Sequence, residues 1–162
     1  NYQGAKVCPY CDGNEAMDCP CGAPAGPGGC LNSTGQGALL EASGSSKYGA
    51  DDLVLSASGL PGSVSCIWIS APAQQRVVLG DGLLCLANGP GKIVRRQMGL
   101  ASPQGFSQFG PGIIAGSFTH PVPLAAINPG DTRYFHLHYR DPASTGGADT
   151  NLSNALGVVF SP

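Results

Sequence analysis

Hydrophobic and polar residues alternate along Thr132–Arg140, near the C-terminus of the chain. In an extended strand, neighbouring side chains point to opposite faces, so this alternation predicts one buried face and one open face. The first face holds Phe135, Leu137 and Tyr139, and the second holds Tyr134, His136 and His138. A second apolar run at 155–160 follows a loop rich in Pro, Gly, Ser and Asp, and the two runs together predict either a hairpin or a connection between the sheets of a sandwich.

From residue 37 onward, short apolar runs are separated by turn signals, such as Gly-Asp-Gly at 80–82 and Gly-Pro-Gly at 110–112. Strands are predicted at 38–42, 52–57, 63–70, 76–79, 83–87, 93–98, 113–119, 132–140 and 155–160. No segment carries an apolar stripe of helical period and useful length. The predicted fold is all-β: an antiparallel β-sandwich of about eight to nine short strands with a disulfide-rich N-terminal arm.

Residues 1–35 differ in composition from the rest of the chain. They hold five of the seven cysteines among Gly, Pro and Asn, and they contain too few apolar residues to form a core. We therefore expect two parts, a Cys/Gly/Pro-rich N-terminal arm at 1–35 and a β-sandwich domain at 36–162. Such an arm must be ordered by cross-links or by contact with another body.

The seven cysteines predict an oxidising compartment. The chain begins with Asn1, as expected of a mature form whose signal peptide has been removed. It contains no apolar run of the roughly 20 residues that a membrane-spanning helix requires. We expect a secreted protein, extracellular or at the cell surface, with no membrane span.

The cysteine positions favour three disulfides and one odd thiol. The preferred pairs are Cys66–Cys85, Cys11–Cys19 and Cys21–Cys30. The first pair joins two predicted strands between which the chain turns back, and the arm pairs avoid the strained ring that Cys19 and Cys21 would make. Cys8 is then left over, and it is a candidate for a bond between subunits.

Other uses of these cysteines are less favoured. Cys8-Pro-Tyr-Cys11 has the sequence of the glutaredoxin active site, but no strand-then-helix pattern surrounds it. Four thiolates could hold zinc, although one of their two pairs is spaced more closely than is usual and thiols outside the cell tend to oxidise. That alternative set is Cys8, Cys11, Cys19 and Cys21.

Two further groups of residues have the chemistry of metal ligands. His136 and His138 share one face of a strand and could be joined by His120, but no acid is placed to orient them. Both are expected at the surface or in a contact with a neighbour. Candidate oxygen ligands for calcium are Asp141, Asp149 and Asn151, but their spacing matches no calcium-binding loop. We expect no metal and no cofactor.

Several short motifs occur in a fixed order along the chain. They are Cys-Asp-Gly at 11–13, Cys-Pro-Cys-Gly at 19–22, Gly-Cys-Leu-Asn-Ser at 29–33, Ser-Gly-Leu-Pro at 58–61, Val-Leu-Gly-Asp-Gly-Leu-x-Cys at 78–85, Tyr-Arg-Asp at 139–141 and Asn-Leu-Ser-Asn-Ala at 151–155. With them the chain resembles a family of uncharacterised secreted proteins and C-terminal modules of environmental Gram-negative bacteria. The resemblance implies an extracellular all-β domain and no particular activity. The chain departs from the family pattern at His138, where members often have Trp.

No residue is assigned to catalysis, because no serine lies in a Gly-x-Ser-x-Gly turn and no pair of acids stands out. Nucleic acid is not an expected partner, since the net charge is -2 and only Arg95 and Arg96 are adjacent basic residues. Low charge leaves sheet edges poorly guarded against pairing with other copies.

We therefore expect a structural subunit of an extracellular filament or surface fibre, a homopolymer assembled through its N-terminal arm and sheet edges. Tyr2, Ala5 and Val7 are the apolar side chains with which the arm would hold a neighbour. The alternative is an adhesive or carbohydrate-binding module for surface polysaccharide. That alternative requires an exposed aromatic platform, for which Trp68 is the candidate.

Overall fold

Strand β9 (Thr132–Arg140) lies at the centre of the largest sheet. The structure is a computed structural model and describes residues 6–11, 19–20, 27–87, 92–144 and 146–162. The other strands are β1 (Lys6–Tyr10), β2 (Leu39–Ser43), β3 (Val54–Ser58), β4 (Ser65–Ala71), β5 (Gln74–Leu79), β6 (Gly82–Leu86), β7 (Val94–Leu100), β8 (Ser107–Phe109), β10 (Thr150–Leu152) and β11 (Ala155–Val159). A short helix α1 (Ile113–Phe118) and a 3-10 turn (Pro123–Ala125) lie between β8 and β9.

The largest sheet has the strand order β1-β11-β9-β4-β7, and β10 also pairs with β9. All of these pairings are antiparallel. The register places Leu156 of β11 and Ser70 of β4 on either side of Phe135. Of the two predicted arrangements of 132–140 and 155–160, the structure thus has the antiparallel pair in one sheet, and β1 and β7 form the two edges of this sheet.

The inner face of this sheet, defined by Phe135, Leu137 and Tyr139, packs against a second sheet of order β2-β3-β8. All three of these side chains are at most 1% exposed. Leu40 and Leu55 reach the same core from the second sheet, because alternate residues of β2 and β3 face it. Two packed antiparallel sheets of this kind confirm the predicted all-β sandwich.

The outer face, on the side of His136, is covered by a third layer that the sequence did not predict. This layer is the two-stranded sheet β5-β6, in which every residue of β6 is buried. Leu84 and Leu86 of β6 pack on Ile69 of β4 and on Leu152 of β10. The largest sheet is thus covered on both sides at its middle, which explains why both faces of β9 carry buried side chains.

The strand predicted at 113–119 is wrong, because Ile113–Phe118 forms the helix α1. The free N–H groups at the start of this helix are capped by Asp51, which is far away in sequence. The Oδ1 atom of Asp51 accepts the N–H of Ile114 at 2.7 Å, and Oδ2 accepts the N–H of Ala115 at 2.9 Å. A carboxylate on the first free N–H groups is a strong helix cap, and this one is supplied by tertiary contact. None of the helices in the described part of the chain is long and apolar enough to cross a membrane.

Candidate functional site

The structure pairs the cysteines differently from the sequence prediction. Cys11 is bonded to Cys85, and Cys19 is bonded to Cys30. The predictions Cys66–Cys85, Cys11–Cys19 and Cys21–Cys30 are therefore wrong, and Cys21 lies outside the described residues. The two bonds fit a protein that folds in an oxidising compartment.

Cys66 cannot reach Cys85 because the largest sheet lies between them. The side chain of Cys66 is on the inner face, where its Sγ atom lies 3.5 Å from Oγ of Ser107. Cys85 is on β6, in the layer that covers the outer face. A disulfide needs Cα atoms within about 7 Å, whereas packed sheets are about 10 Å apart. Both cysteines lie in apolar strands, but they are on opposite sides of the largest sheet.

Free thiols are found at Cys8, which is exposed, and at Cys66, which is buried. We expect a maleimide to label Cys8 in the native protein and to label Cys66 only when the fold opens, at least about a hundredfold more slowly. Mass mapping of labelled peptides separates these two sites from Cys21. Labelling of Cys66 at the rate of Cys8 in native protein would contradict the placement of Cys66 in the core.

The arm returns to the sandwich through a close contact between two glycines. The N–H of Gly29 donates to the carbonyl of Ala38 at 2.9 Å, just beside the Cys19–Cys30 bond. A Cβ atom on Gly29 would lie 2.0 Å from the carbonyl oxygen of Leu152, and one on Gly37 would lie 2.0 Å from that of Gly29. Only glycine allows this approach, so the chain around Gly29 has a fixed position on the body.

The first part of the arm adds a strand to the sheet edge. β1 pairs antiparallel with β11, from Lys6 opposite Val159 to Tyr10 opposite Ala155. Val7 is 8% exposed and joins the inner core of its own chain, and its contact with a neighbouring subunit stays a prediction. Tyr2 and Ala5, predicted to help it, lie outside the described residues. In the structure, β1 therefore pairs with the sheet edge of its own chain.

Tyr10 connects β1 to the third layer. Its hydroxyl donates to the carbonyl of Cys85 at 3.0 Å, and its ring meets that of Tyr134 edge-on, with centroids 5.7 Å apart. Burial first, and the neighbouring Tyr134 second, raise the pKa of Tyr10, so the phenol keeps its proton and its role as donor. Together with the disulfide at Cys11, this contact fastens the end of β1 to β6.

His136 is fully buried behind that disulfide, so the prediction that it lies at the surface is wrong. One ring nitrogen, Nε2, accepts a hydrogen bond from the backbone N–H of Cys85, with 3.2 Å between the two nitrogen atoms. Burial, with a smaller effect of His138, lowers the pKa of His136 to about 3. The other nitrogen, Nδ1, is buried without a hydrogen-bond partner in the described part of the chain. Such a group costs about 1–3 kcal/mol.

His138 is half-buried, and burial, Arg140 and Arg95 together lower its pKa. His120 lies elsewhere, with Nε2 at 2.8 Å from the carbonyl oxygen of Arg95. The three histidines therefore do not form a common site. Among the described residues, a different set of three potential ligands does come together: Cys11, Cys85 and His136, with one ligand atom from each lying within 4.8 Å of the others.

The calcium candidates hold loops in place instead of gathering around a common point. Oδ2 of Asp141 accepts the N–H of Ser33 at 3.0 Å, and Nδ2 of Asn151 donates to the carbonyl of Leu31 at 2.9 Å. Asp149 lies 3.6 Å from Arg140 in an exposed ion pair. Asp141 and Asn151 thus tie the ends of β9 and β10 to the arm.

A cavity of about 290 Å³ opens beside the Cys11–Cys85 bond. Its walls are formed by Tyr10, Cys11, Gln74, Gln75, Arg76 and Cys85. The aromatic platform required for sugar binding is not at Trp68, which is 1% exposed and donates its indole N–H to Ser107 at 3.1 Å. Of the four tyrosines that the structure describes, none is more than half-exposed.

These features define the class: a disulfide-bonded, all-β sandwich whose N-terminal strand completes a sheet edge. No protein-family model, curated protein or solved structure matches the chain. The resemblance to secreted Gram-negative modules therefore stays a prediction.

Proposed function

We propose that the protein is a structural subunit of an extracellular filament or surface fibre, in which β1 of one copy pairs with β11 of the next. The observation that carries this proposal is the position of β1, which comes from the arm and is the edge strand of the largest sheet. It lies at the N-terminal end of the described chain and is followed by a segment, 12–18, that separates it from the anchored cysteine at position 19.

Exchange of β1 between copies would keep every contact that β1 now makes. Those contacts are the backbone ladder to β11, the burial of Val7, the pairing of Tyr10 with Tyr134 and the bond from Cys11. Since the same contacts form within one chain or between two, their free energy favours neither arrangement. At high concentration the balance therefore shifts toward exchange, as in domain-swapped proteins.

The geometry of such an exchange gives an open chain of subunits. The donor is β1 and the acceptor is the free edge of β11, so the two surfaces differ, and contacts of this type build filaments unless the rotation closes a ring. Between Cys11 and Cys19, eight peptide units span at most about 28 Å. That length approaches the diameter of a sandwich of this size, which is on the order of 35 Å.

Disulfide chemistry would then join the copies covalently. After exchange, Cys11 of the donor faces Cys85 of the acceptor. A small-molecule disulfide closes the bond between them: it takes two electrons and two protons from the two thiols and becomes a dithiol. Cys8 supplies a second route, since it is a free and exposed thiol on the same edge strand. At the opposite edge, Met98 and Leu100 of β7 are 73% and 69% exposed, which offers apolar surface to a neighbouring subunit.

The proposal is tested by removing the donor strand and supplying it again. We expect the full chain, refolded at high concentration under oxidising conditions, to form fibres in negative-stain microscopy. A chain lacking residues 1–10 should fold and stay monomeric, and it should bind a synthetic peptide of residues 1–11, because the edge of β11 is then open. Binding is measured by fluorescence polarisation of the labelled peptide.

The matched control is the same peptide with Val7→Asp, which places a charge where the inner core receives an apolar side chain. Its affinity should be at least about tenfold weaker, since burying an unpaired charge costs more than the 1.4 kcal/mol that a factor of ten represents. If the full chain stays monomeric and the truncated chain does not bind the peptide, assembly by this strand is ruled out.

A further inference from the structure

We propose that the reduced protein binds Zn²⁺ through the two sulfur atoms of Cys11 and Cys85 and one ring nitrogen of His136. This inference goes beyond the filament proposal and does not depend on it. It concerns the protein after a dithiol has opened the Cys11–Cys85 bond. The oxidised protein is expected not to bind zinc at this place, because its two sulfurs are bonded to each other.

The first argument is geometric. One ligand atom from each of the three side chains already lies within 4.8 Å of the other two, although the side chains come from three separate elements of the chain. Around tetrahedral zinc, sulfurs at about 2.3 Å from the ion are roughly 3.8 Å apart. The Cα atoms of Cys11 and Cys85 are 6.2 Å apart, so the two sulfurs can separate by that amount through side-chain rotation.

The second argument comes from the hydrogen bonds of His136. Nε2 accepts the N–H of Cys85, so its lone pair is directed toward the residue that carries one of the sulfurs. Nδ1 is buried and has no hydrogen-bond partner among the residues described. In the neutral imidazole Nδ1 then carries the proton, and the only ring lone pair is that of Nε2. Zinc would bind at Nε2, in place of the Cys85 N–H.

The chemistry balances without further components. The dithiol gives two electrons and two protons to the disulfide and leaves as its own cyclic disulfide. Zn²⁺ then displaces one proton from each thiol and takes the lone pair of the neutral imidazole, so two protons are released. The product carries no net charge, because two thiolates balance the two charges of the ion, and a neutral complex suits a site in which all three ligands are buried.

The fourth position of the ion faces the cavity beside the disulfide. Three protein ligands and one open position are the arrangement of reactive zinc sites, and in structural sites all four positions are filled by protein. Gln74 and Gln75 from β5 line that cavity, so it is bordered by polar residues. Arg76 lines the same cavity and adds a positive charge.

The experiment uses full-length protein with Cys8→Ser, Cys19→Ser, Cys21→Ser and Cys30→Ser, because reduction also opens the Cys19–Cys30 bond and any of these arm thiols could compete. The protein is reduced with a phosphine, which gives two electrons to the disulfide and leaves as the phosphine oxide with oxygen from water, so no competing thiol is added. It is then titrated with Zn²⁺ against a chromophoric chelator. We expect one ion per chain. X-ray absorption should find two sulfurs at about 2.3 Å and a histidine nitrogen at about 2.0–2.1 Å. Cobalt in place of zinc should give the strong visible bands of a tetrahedral site.

The matched variants are His136→Gln and His138→Gln on that background. Loss of an outer-shell partner weakens zinc binding by about 10–100-fold, so loss of a ligand should weaken it at least a hundredfold, and only His136→Gln should do so. Circular dichroism checks that both variants fold. If His136→Gln does not fold, the X-ray absorption spectrum of the folded parent protein still shows whether a histidine nitrogen binds the ion. A site of sulfurs without histidine, unchanged affinity in His136→Gln, or no uptake by the reduced protein would overturn the inference.

Discussion

Replacing Phe135 with alanine is expected to lower the free energy of unfolding by about 3–5 kcal/mol. Phe135 has no exposed surface and lies on the central strand, where its ring meets that of Phe160 edge-on, with centroids 6.5 Å apart. Truncation removes apolar contacts with both sheets and leaves a cavity that strands fixed on both sides cannot close. The effect is measured as a shift in the midpoint of urea unfolding at an unchanged slope.

The matched control for this change is Phe118→Ala. Phe118 is 52% exposed at the end of α1, so its truncation should change the stability by no more than about 0.5 kcal/mol. Both experiments are done on oxidised protein, so that the two disulfides are present in each. Equal effects of the two substitutions would mean that β9 is not at the centre of the core.

Acidification below pH 6.5 is expected to destabilise the oxidised protein through His136. The pKa of this histidine is lowered to about 3 in the fold, while an unfolded histidine has a pKa near 6.5. The stabilisation is fully present above pH 6.5 and is lost as the pH falls, because the unfolded chain then binds a proton that the folded chain does not. The slope approaches 1.4 kcal/mol per pH unit, so roughly 2–3 kcal/mol is lost between pH 7.5 and 4.5.

The variant His136→Gln separates this effect from other acid effects. It has no imidazole on the covered outer face, so its stability should vary much less over this range, even though its stability at pH 7.5 is lower. His120→Gln keeps His136 and should keep the loss on acidification. Urea unfolding at several pH values measures both. A wild-type stability that is flat from pH 7.5 to 4.5 would contradict the buried, neutral state of His136.

The alternation at Thr132–Arg140 was sufficient to predict the strand and its buried face, and the run at 155–160 was compatible with both a hairpin and a sandwich connection. Local apolar periodicity and turn residues carry that information, because one buried face fixes which residues point inward. The same pattern does not reveal what lies over the other face. The burial of His136 depends on β6, which arrives from a position some fifty residues earlier in the chain.

The helix and the disulfides show the same limit. The sequence Ile-Ile-Ala-Gly-Ser-Phe has no cap of its own, and the group that starts the helix is the distant carboxylate of Asp51. The partner of Cys85 is likewise chosen by tertiary packing, since β1 brings Cys11 to it across a sequence separation of 74. The cluster of Cys11, Cys85 and His136 could not be predicted for this reason, because none of its members is close to another in sequence.

The Cys11–Cys85 bond also decides how the chain would respond to mechanical force. If the molecule is pulled by its two ends, the load passes through the Cys11–Cys85 bond. The chain segment between the two cysteines, which are 74 positions apart in sequence, then cannot be stretched. Opening the bond releases roughly 250 Å of extensible chain at about 3.3–3.6 Å per residue. In a single-molecule stretching experiment, the contour length of the chain would thus report the redox state of its surroundings, with a short tether in oxidising medium and a long one in reducing medium.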